Sequence, residues 1–439
     1  MEAEMKNINE IKKSKYNIEI SLNGNWVIYN TLKNSMLELN EEFYSYYKNN
    51  KIVSEKITQK FYEYGLWLDK DYDEIKELKM LYLRKIYSSD YLNLTIKTTN
   101  NCNFNCVYCY QDHLKTNLEN DVILKIKNFI DKKVENDNIK YIFIHWFGGE
   151  PLINPQPIFD IENYILKKYK NIDLKSSMTT NGYLLNKKNI EKLKNTQINS
   201  FQITIDGNSD EHNKTRKTNQ GENTYDKILK NIKNILEKSN FEILIRINVN
   251  KNNSDINKFL IQMEKNKLLN NNRISFHFNE AKKMDISYTN KDIFYQSVKE
   301  YSKDLLLIYN LLLNKKIKIP FYFTKGYNCE FDRLNTYLIN TDGKFYRCSS
   351  SEKEEAFYLG DINSKGELFK NAKSFYNKML RDPFESKKCF DCKVMPWCMG
   401  GCGFLKVKKI NECIPEKYII NDLIKLYYKE SKNEKNFKF

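Results

Sequence analysis

Three cysteines, Cys102, Cys106 and Cys109, stand within eight positions of the stretch "TTNNCNFNCVYCYQDH". Thiolates crowded in this way on a loop are metal ligands. Four of them would close a tetrahedral zinc site or ligate every iron of a cubic iron–sulfur cluster. Three leave one coordination position that no local cysteine fills. A zinc site completed by His113 or His145 is the plain alternative, but no second CxxC lies nearby.

Seven further cysteines follow, all of them after position 328: Cys329, Cys348, Cys389, Cys392, Cys398, Cys402 and Cys413. The N-terminal residues "MEAEMKNINEIKKSKYN" lack the apolar core of a signal peptide, so a cytoplasmic location is expected. Thiols stay reduced in that compartment, which favours metal binding over disulfides. Two metal-binding regions separated by a cysteine-free body are therefore expected. If the two regions held one open and two closed clusters, full ligation would need eleven cysteines, and the chain has ten. One further iron would then be open, or be completed by water, by a substrate thiolate, or by a carboxylate such as Asp332.

The elements that must position these residues follow from composition and periodicity. The chain has 439 residues, 41% hydrophobic and 14% aromatic, with only 14 Gly and 7 Pro, a globular composition long enough for several cores. No run of eighteen apolar residues is present, so no membrane span is expected. The net charge of +16 is spread along the whole length as Lys-rich helix faces, with no concentrated basic arm, and nucleic acid is not an expected partner.

From residue 92 strands and helices alternate. The strands read "LNLTIKTT", "YIFIHWF", "DLKSSMTT", "FQITID", "EILIRINV" and "RISFHF", and helical periodicity falls at 119–134, 157–170, 222–238 and 254–266. Six β–α units imply a parallel sheet too small to close as an eight-stranded barrel, with its site on the loops after the strand C-terminal ends. That rim carries every distinctive polar motif. The cysteine triplet follows the first strand, Gly148–Pro151 ("GGEP") the second, "TTNG" the third and Asp206-Gly207 the fourth. Ahead of this body, residues 16–75 alternate as strand, Asn23-Gly24 hairpin and strand, followed by short helices. Two readings stand for that segment, a small winged-helix unit or an extension packed on the main body.

An open iron suits a ligand with an amine and a carboxylate, and S-adenosyl-L-methionine offers both from its methionine end. One electron from the cluster can then break the carbon–sulfur bond of the sulfonium and give a 5′-deoxyadenosyl radical, chemistry that no side chain provides. Gly148 and Gly149 allow close backbone approach, with carbonyls that accept from the amino group, and Glu150 adds an acceptor. Tyr108 is placed to lie against the adenine, and Arg216 to pair with the carboxylate. Thr180, Asn181 and Asp206 are candidates for ribose or carboxylate oxygens. No catalytic base is evident: of the four histidines, His145 and His277 fall on strands and read equally as satisfied interior residues.

The order CxxxCxYC, GGEP, TTNGYLL and IDG over residues 92–280 resembles the radical S-adenosylmethionine superfamily. The spacing of the seven later cysteines resembles its SPASM extension. The resemblance implies three 4Fe–4S clusters. Cys102, Cys106 and Cys109 would hold the first, with Pro151 in the cofactor-binding GGEP motif. Cys329, Cys348 and Cys402 would hold auxiliary cluster I, and Cys389, Cys392, Cys398 and Cys413 auxiliary cluster II.

The whole is then an α/β protein. It comprises a winged-helix-like leader-peptide recognition domain (1–80), a partial (β/α)6 barrel (90–282), a helical bridge (283–322) and a cysteine-rich SPASM domain with a C-terminal helix (323–439). The resemblance further implies maturation of a ribosomally made (RiPP) precursor peptide with a leader segment, and an external one-electron reductant such as flavodoxin or ferredoxin. A cysteine thioether is the expected product, with carbon–carbon cross-linking, epimerisation or formylglycine formation as rivals. Formylglycine-forming relatives place an Asp after the cysteine that matches Cys348, whereas this chain has Ser349.

Overall fold

In a computed structural model the chain is described over residues 10–52, 54–282, 293–319, 329–350 and 355–433. It divides into two compact units, residues 1–86, 298–329 and 381–439 in one, and 87–297 and 330–380 in the other. The cysteine-rich C-terminal region is thus shared between the units rather than standing as a block of its own.

In the first unit β1 (Ile11–Lys13) precedes a three-stranded antiparallel sheet, β2 (Asn17–Leu22), β3 (Asn25–Asn30) and β4 (Ser35–Leu39). Asn23 and Gly24 turn the hairpin with φ of 53° and 80°, the left-handed pair that a tight two-residue turn requires. Helices Glu41–Lys48 and Glu55–Glu63 follow. Each begins on a side-chain cap, Asn40 accepting from Phe43 N and Ser54 from Ile57 N. β5 (Trp67–Asp69) returns to pair antiparallel with β1, and helix Glu74–Ile86 closes the segment.

This strand, hairpin, strand and helix order matches the sequence reading; the β1–β5 pair and the partner of the sheet were not foreseen. Val27, Tyr29 and Met36 pack with Val394, Trp397 and Ile424, while Tyr16, Leu78, Tyr82 and Ile86 pack with Met395 and Met399. Residues from both ends of the chain, far apart in sequence, therefore share two hydrophobic cores. Helix Val298–Asn314 belongs to this unit and contacts the helix Ile420–Asn433. It lies within the expected bridge, whose residues 283–292 and 320–322 are outside the described set.

The second unit is built on one sheet. β6 (Tyr91–Lys97), β8 (Tyr141–Phe147), β9 (Asp173–Thr180), β10 (Ile198–Thr204), β12 (Glu242–Val249) and β13 (Ile274–Glu280) run parallel in that spatial order. Helices Asn120–Asp137, Gln156–Lys168, Lys187–Leu193, Tyr225–Lys238 and Asn257–Lys265 lie between successive strands along the chain. The protein is α/β with the open parallel sheet of a partial barrel. Along β8 the buried Ile142, Ile144 and Trp146 alternate with the half-buried Phe143, His145 and Phe147, the period-two pattern of a strand between two unlike faces.

Two pairings extend this plan. β7 (Phe104–Cys106), inside the cysteine loop, pairs antiparallel with β11 (Arg216–Thr218). On the far side of β6 the sheet continues through β14 (Thr336–Ile339), parallel to β6, and then the antiparallel meander β15 (Lys344–Tyr346), β16 (Tyr358–Ile362) and β17 (Leu368–Lys370). Ten strands thus form one sheet.

Candidate functional site

The cysteine loop leaves the end of β6 and is clasped on one side by β11, which sets Arg216 directly opposite Cys106. Asn219 Nδ2 donates to Cys102 O at 2.8 Å, and Val107 N to Thr215 O at 3.1 Å. The three thiols lie near enough to interact electrostatically. Burial pushes Cys102 up to about 12 and Cys106 up to about 11, although Arg216 pulls Cys106 down. As free thiols both hold their protons at neutral pH, and metal binding would release them.

His113 Nε2 stands 3.1 Å from Cys109 Sγ. His145, the other histidine considered for zinc, is engaged by the Ser177 and Thr179 hydroxyls at 2.7 and 2.9 Å. Among the described residues no three His, Cys, Asp or Glu side chains converge on a single ion. A cluster places its ligands around a cube, one cysteine to each iron, and does not ask for that convergence.

The GGEP loop has a packing role that motif reasoning did not supply. Gly148 has φ of 147°, and a Cβ there would meet Thr99 O at 2.3 Å; one on Gly149 would meet Asn101 O at 2.3 Å. The absent side chains let the loop lie flat on the cysteine loop, with Gly149 N donating to Thr99 O at 3.0 Å and Glu150 N to Asn101 O at 2.9 Å. The Thr98 hydroxyl donates to Pro151 O at 3.0 Å.

Glu150 is fully buried, and its carboxylate accepts from the Thr180 hydroxyl and Asn181 N at 2.8 Å each and from Leu152 N at 3.2 Å. Burial raises its pKa to about 7 against these donors. Glu150 therefore ties the "TTNG" loop to the GGEP loop. Asn181 continues the chain by donating from Nδ2 to Asn103 Oδ1 at 2.8 Å. Thr180 and Asn181, read from sequence as cofactor contacts, hold three rim loops to one another.

A second network joins Tyr108, Asp206 and Arg216. The Tyr108 hydroxyl donates to Asp206 and accepts from Arg216 Nη1 at 2.7 Å and from Asn248 Nδ2 at 3.3 Å. Asp206 also accepts from Asn248 N at 3.0 Å. Burial pushes the Asp206 carboxyl up, with Arg216 opposing. Tyr108 is engaged through its hydroxyl, where sequence reasoning had considered its ring, and the ring packs on the cluster of Ala281, Ile293 and Phe294.

Arg216 is buried, its guanidinium carbon 5.8 Å from the Phe104 ring centre, and its Nε has no hydrogen-bond partner. A buried guanidinium with an unpaired N–H is costly, and a bound carboxylate would relieve it. That orphaned donor beside three grouped thiols fits a ligand with an amine and a carboxylate seated on an open iron.

Asn103, Asn219, Asn248 and His212 were missed in the sequence. His212 accepts from Asp206 N at 3.2 Å and reaches the Thr224 hydroxyl at 3.0 Å, which in turn donates to Arg216 O at 2.6 Å. Asn248 could have been found, since it is the last residue but one of β12, on the same rim. The others belong to no spaced pattern. His145 and His277 are both depressed to about 4 by burial and are neutral at ordinary pH.

The later cysteines fall differently. In the first unit Cys398 interacts electrostatically with Cys389, Cys392 and Cys413, and burial raises it to about 11. Cys389 and Cys392 pack beside the Met395 and Met399 core. Cys402 is exposed and Cys329 half-buried in that same unit; Cys348 is half-buried in the second.

Residues 96–260 match the family described as the Radical SAM superfamily, so the chain carries a radical SAM domain and is a radical SAM enzyme. It is 25% identical to the radical SAM cyclopropyl synthase TigE of Paramaledivibacter caminithermalis over 85% of this chain and 82% of that protein. It is 28% identical to a cysteine-type anaerobic sulfatase-maturating enzyme of Clostridium novyi over 71% and 87%. Among solved structures, native anSMEcpe with bound AdoMet aligns with a TM-score of 0.62 at 20% identity, covering 78% of this chain and all of that one. Streptococcus suis SuiB bound to the precursor peptide SuiA aligns with a TM-score of 0.53 at 15% identity over 92% and 98%. These two likenesses establish the fold. Among the described residues no helix is long and apolar enough to cross a membrane.

Proposed function

We propose that this radical SAM enzyme matures a ribosomally made peptide, abstracting hydrogen from a precursor residue and closing a cross-link, a cysteine thioether in the first instance. Cys102, Cys106 and Cys109 would hold the catalytic 4Fe–4S cluster, with Arg216 taking the carboxylate of S-adenosyl-L-methionine. The four grouped cysteines 389, 392, 398 and 413 would hold an auxiliary cluster. Bound there, the first cluster and its cofactor supply a 5′-deoxyadenosyl radical, and an auxiliary cluster supplies the acceptor for the electron left when the thiol proton departs and the C–S bond closes. The chain's own residues clasp and orient: Gly148–Pro151 fix the cysteine loop, Glu150 and Asn181 lock the rim, and Tyr108 with Asp206 aims Arg216.

The observation that carries the peptide reading is in the first unit. A three-stranded antiparallel sheet with two capped helices is packed directly on the four-cysteine segment. Among the described residues β4 pairs with β3 alone. A leader segment adding there as a strand would gain backbone hydrogen bonds with little demand on its sequence. The likeness in fold to SuiB, solved with its precursor peptide SuiA, supports the same reading. An external one-electron reductant of the flavodoxin or ferredoxin type would complete the system in the cytoplasm.

The test is the intact mass, after anaerobic co-expression, of any small peptide encoded beside the gene. Loss of two hydrogens with one thiol resistant to alkylation is expected for a thioether. Loss of two hydrogens with every thiol alkylated would replace it with carbon–carbon bond formation, and unchanged mass with deuterium uptake from solvent would mean epimerisation. A second reading, formylglycine formation on a sulfatase, is favoured by the C. novyi relative. Turnover of a sulfatase-derived cysteine peptide, with no change in the neighbouring peptide, would establish it instead.

A further inference from the structure

Directly after Cys413 the chain turns through the short segment Pro415–Tyr418. Pro415 opens it with a preset φ and no amide of its own to satisfy, and Lys417 N donates to Ile414 O at 3.2 Å. The turn folds the side chain four residues on back over the cysteine, so that Lys417 Nζ donates to Cys413 Sγ at 3.4 Å. Tyr418 interacts electrostatically with the same sulfur, and Lys417 does so with Cys392 as well. Helix Val298–Asn314 and helix Ile420–Asn433 back the turn, and Ile419 is buried beneath it. The ammonium therefore reaches the sulfur across one short turn whose backbone is packed against two helices.

We propose that Lys417, assisted by Tyr418, is a positioning residue that raises the reduction potential of the auxiliary cluster that Cys389, Cys392, Cys398 and Cys413 would hold. This rests on the four-cysteine reading given above. An iron–sulfur cluster gains negative charge on reduction, and a cation and hydrogen-bond donors at a ligating sulfur favour that state. Ligation itself needs only the four thiolates. A lysine directed at one of them, with a tyrosine beside it, adds a bias toward electron uptake, the property an oxidative cross-linking reaction asks of its acceptor.

The experiment uses the full chain with Cys102, Cys106 and Cys109 all changed to Ala, reconstituted anaerobically with iron and sulfide. The signal lost on the further change Cys398→Ala identifies the cluster in question. If no EPR-active cluster depends on Cys398, the four-cysteine reading itself fails. With the cluster present, its reduced fraction is followed by EPR against solution potential.

Lys417→Met is expected to lower the reduced-to-oxidised ratio at a fixed potential about tenfold, which is 59 mV for a one-electron couple. Lys417→Arg should restore it to within about threefold, because charge and donor return with altered geometry. Tyr418→Phe should shift it in the same direction by a smaller factor, and it carries the test if the methionine variant loses its iron. An unchanged potential in Lys417→Met, or in Tyr418→Phe where the former holds no cluster, overturns the proposal.

Discussion

The two cysteine regions solve opposite problems with the same side chain. Cys102, Cys106 and Cys109 sit on a loop at the C-terminal rim of a parallel sheet, between backbone clasps from Gly149, Glu150 and Thr215. Beside them stands a buried arginine with an unpaired Nε. Cys389 and Cys392 pack against hydrophobic cores, Cys398 and Cys413 lie near enough to interact with them electrostatically, and a lysine is already directed at the Cys413 sulfur. On the proposed reading, the first arrangement would leave one coordination position and a cation for a ligand, and the second would be complete in itself. The open set would suit chemistry and the closed one electron storage.

The sharpest way to break this contrast is to remove one thiol from each region. Cys106→Ala should abolish 5′-deoxyadenosine formation while leaving the iron held by the four-cysteine set. Cys398→Ala should do the reverse for bound iron, sparing the signal of the catalytic cluster. Iron analysis and EPR of the two variants decide it, and loss of both clusters in either one would mean that the regions are not independent.

Gly149→Ala comes next in size. Its Cβ would press on Asn101 O at 2.3 Å, a backbone atom of the clasp, so the loops must part. Overpacking of this kind costs about 1–3 kcal/mol. A lowered melting temperature with weakened cofactor binding is expected, and a variant indistinguishable from the parent would show that the clasp yields.

Arg216→Lys keeps the charge but loses the planar fork and the bond to Tyr108. A charge-assisted hydrogen bond is worth roughly 1.5–3 kcal/mol, so S-adenosyl-L-methionine should bind at least about tenfold more weakly by calorimetry. Equal affinity would mean that the cofactor carboxylate lies elsewhere.

The smallest effect concerns Glu150. Its folded pKa of about 7 is above the ordinary carboxylate value, so the folded state holds a proton that the unfolded chain has lost. Its contribution to stability is fully present below the unfolded value near 4.5 and is lost as pH rises through about 7. Glu150→Gln cannot ionise, so the difference in melting temperature between parent and variant should change over that window and level off above it. A constant difference would mean that Glu150 is ionised throughout.

The structure also bears on truncation. Removing residues 1–80 looks from sequence like a clean way to delete a peptide-binding domain. In the fold it would strip Tyr16, Val27, Tyr29, Met36 and Leu78 from the cores shared with Val394, Met395 and Trp397. Loss of iron from the four-cysteine set is the expected result, and point changes on β4 are the better probe of peptide binding.

Much of this was legible in the chain itself. Alternation over "YIFIHWF" and "EILIRINV", with helical periodicity between, specifies parallel strands because side-chain direction in a strand repeats every two residues wherever the chain goes. Asn23-Gly24 specifies its turn, because the turn needs two positive φ angles and little else. The triplet and the GGEP, TTNG and IDG motifs mark the rim because each lies directly after a strand.

What only the tertiary structure decided are contacts between residues far apart in sequence. The β7–β11 pair puts Arg216 on Cys106, and β14 joins the sheet beside β6. The C-terminal cysteines share cores with the N-terminal sheet, and Glu150, Thr180 and Asn181 close on one another. Such pairings depend on the complementarity of two surfaces, and a linear pattern records only one surface at a time. The sequence by itself determined which residues could do the chemistry; their long-range packing decided which of them hold the others in place.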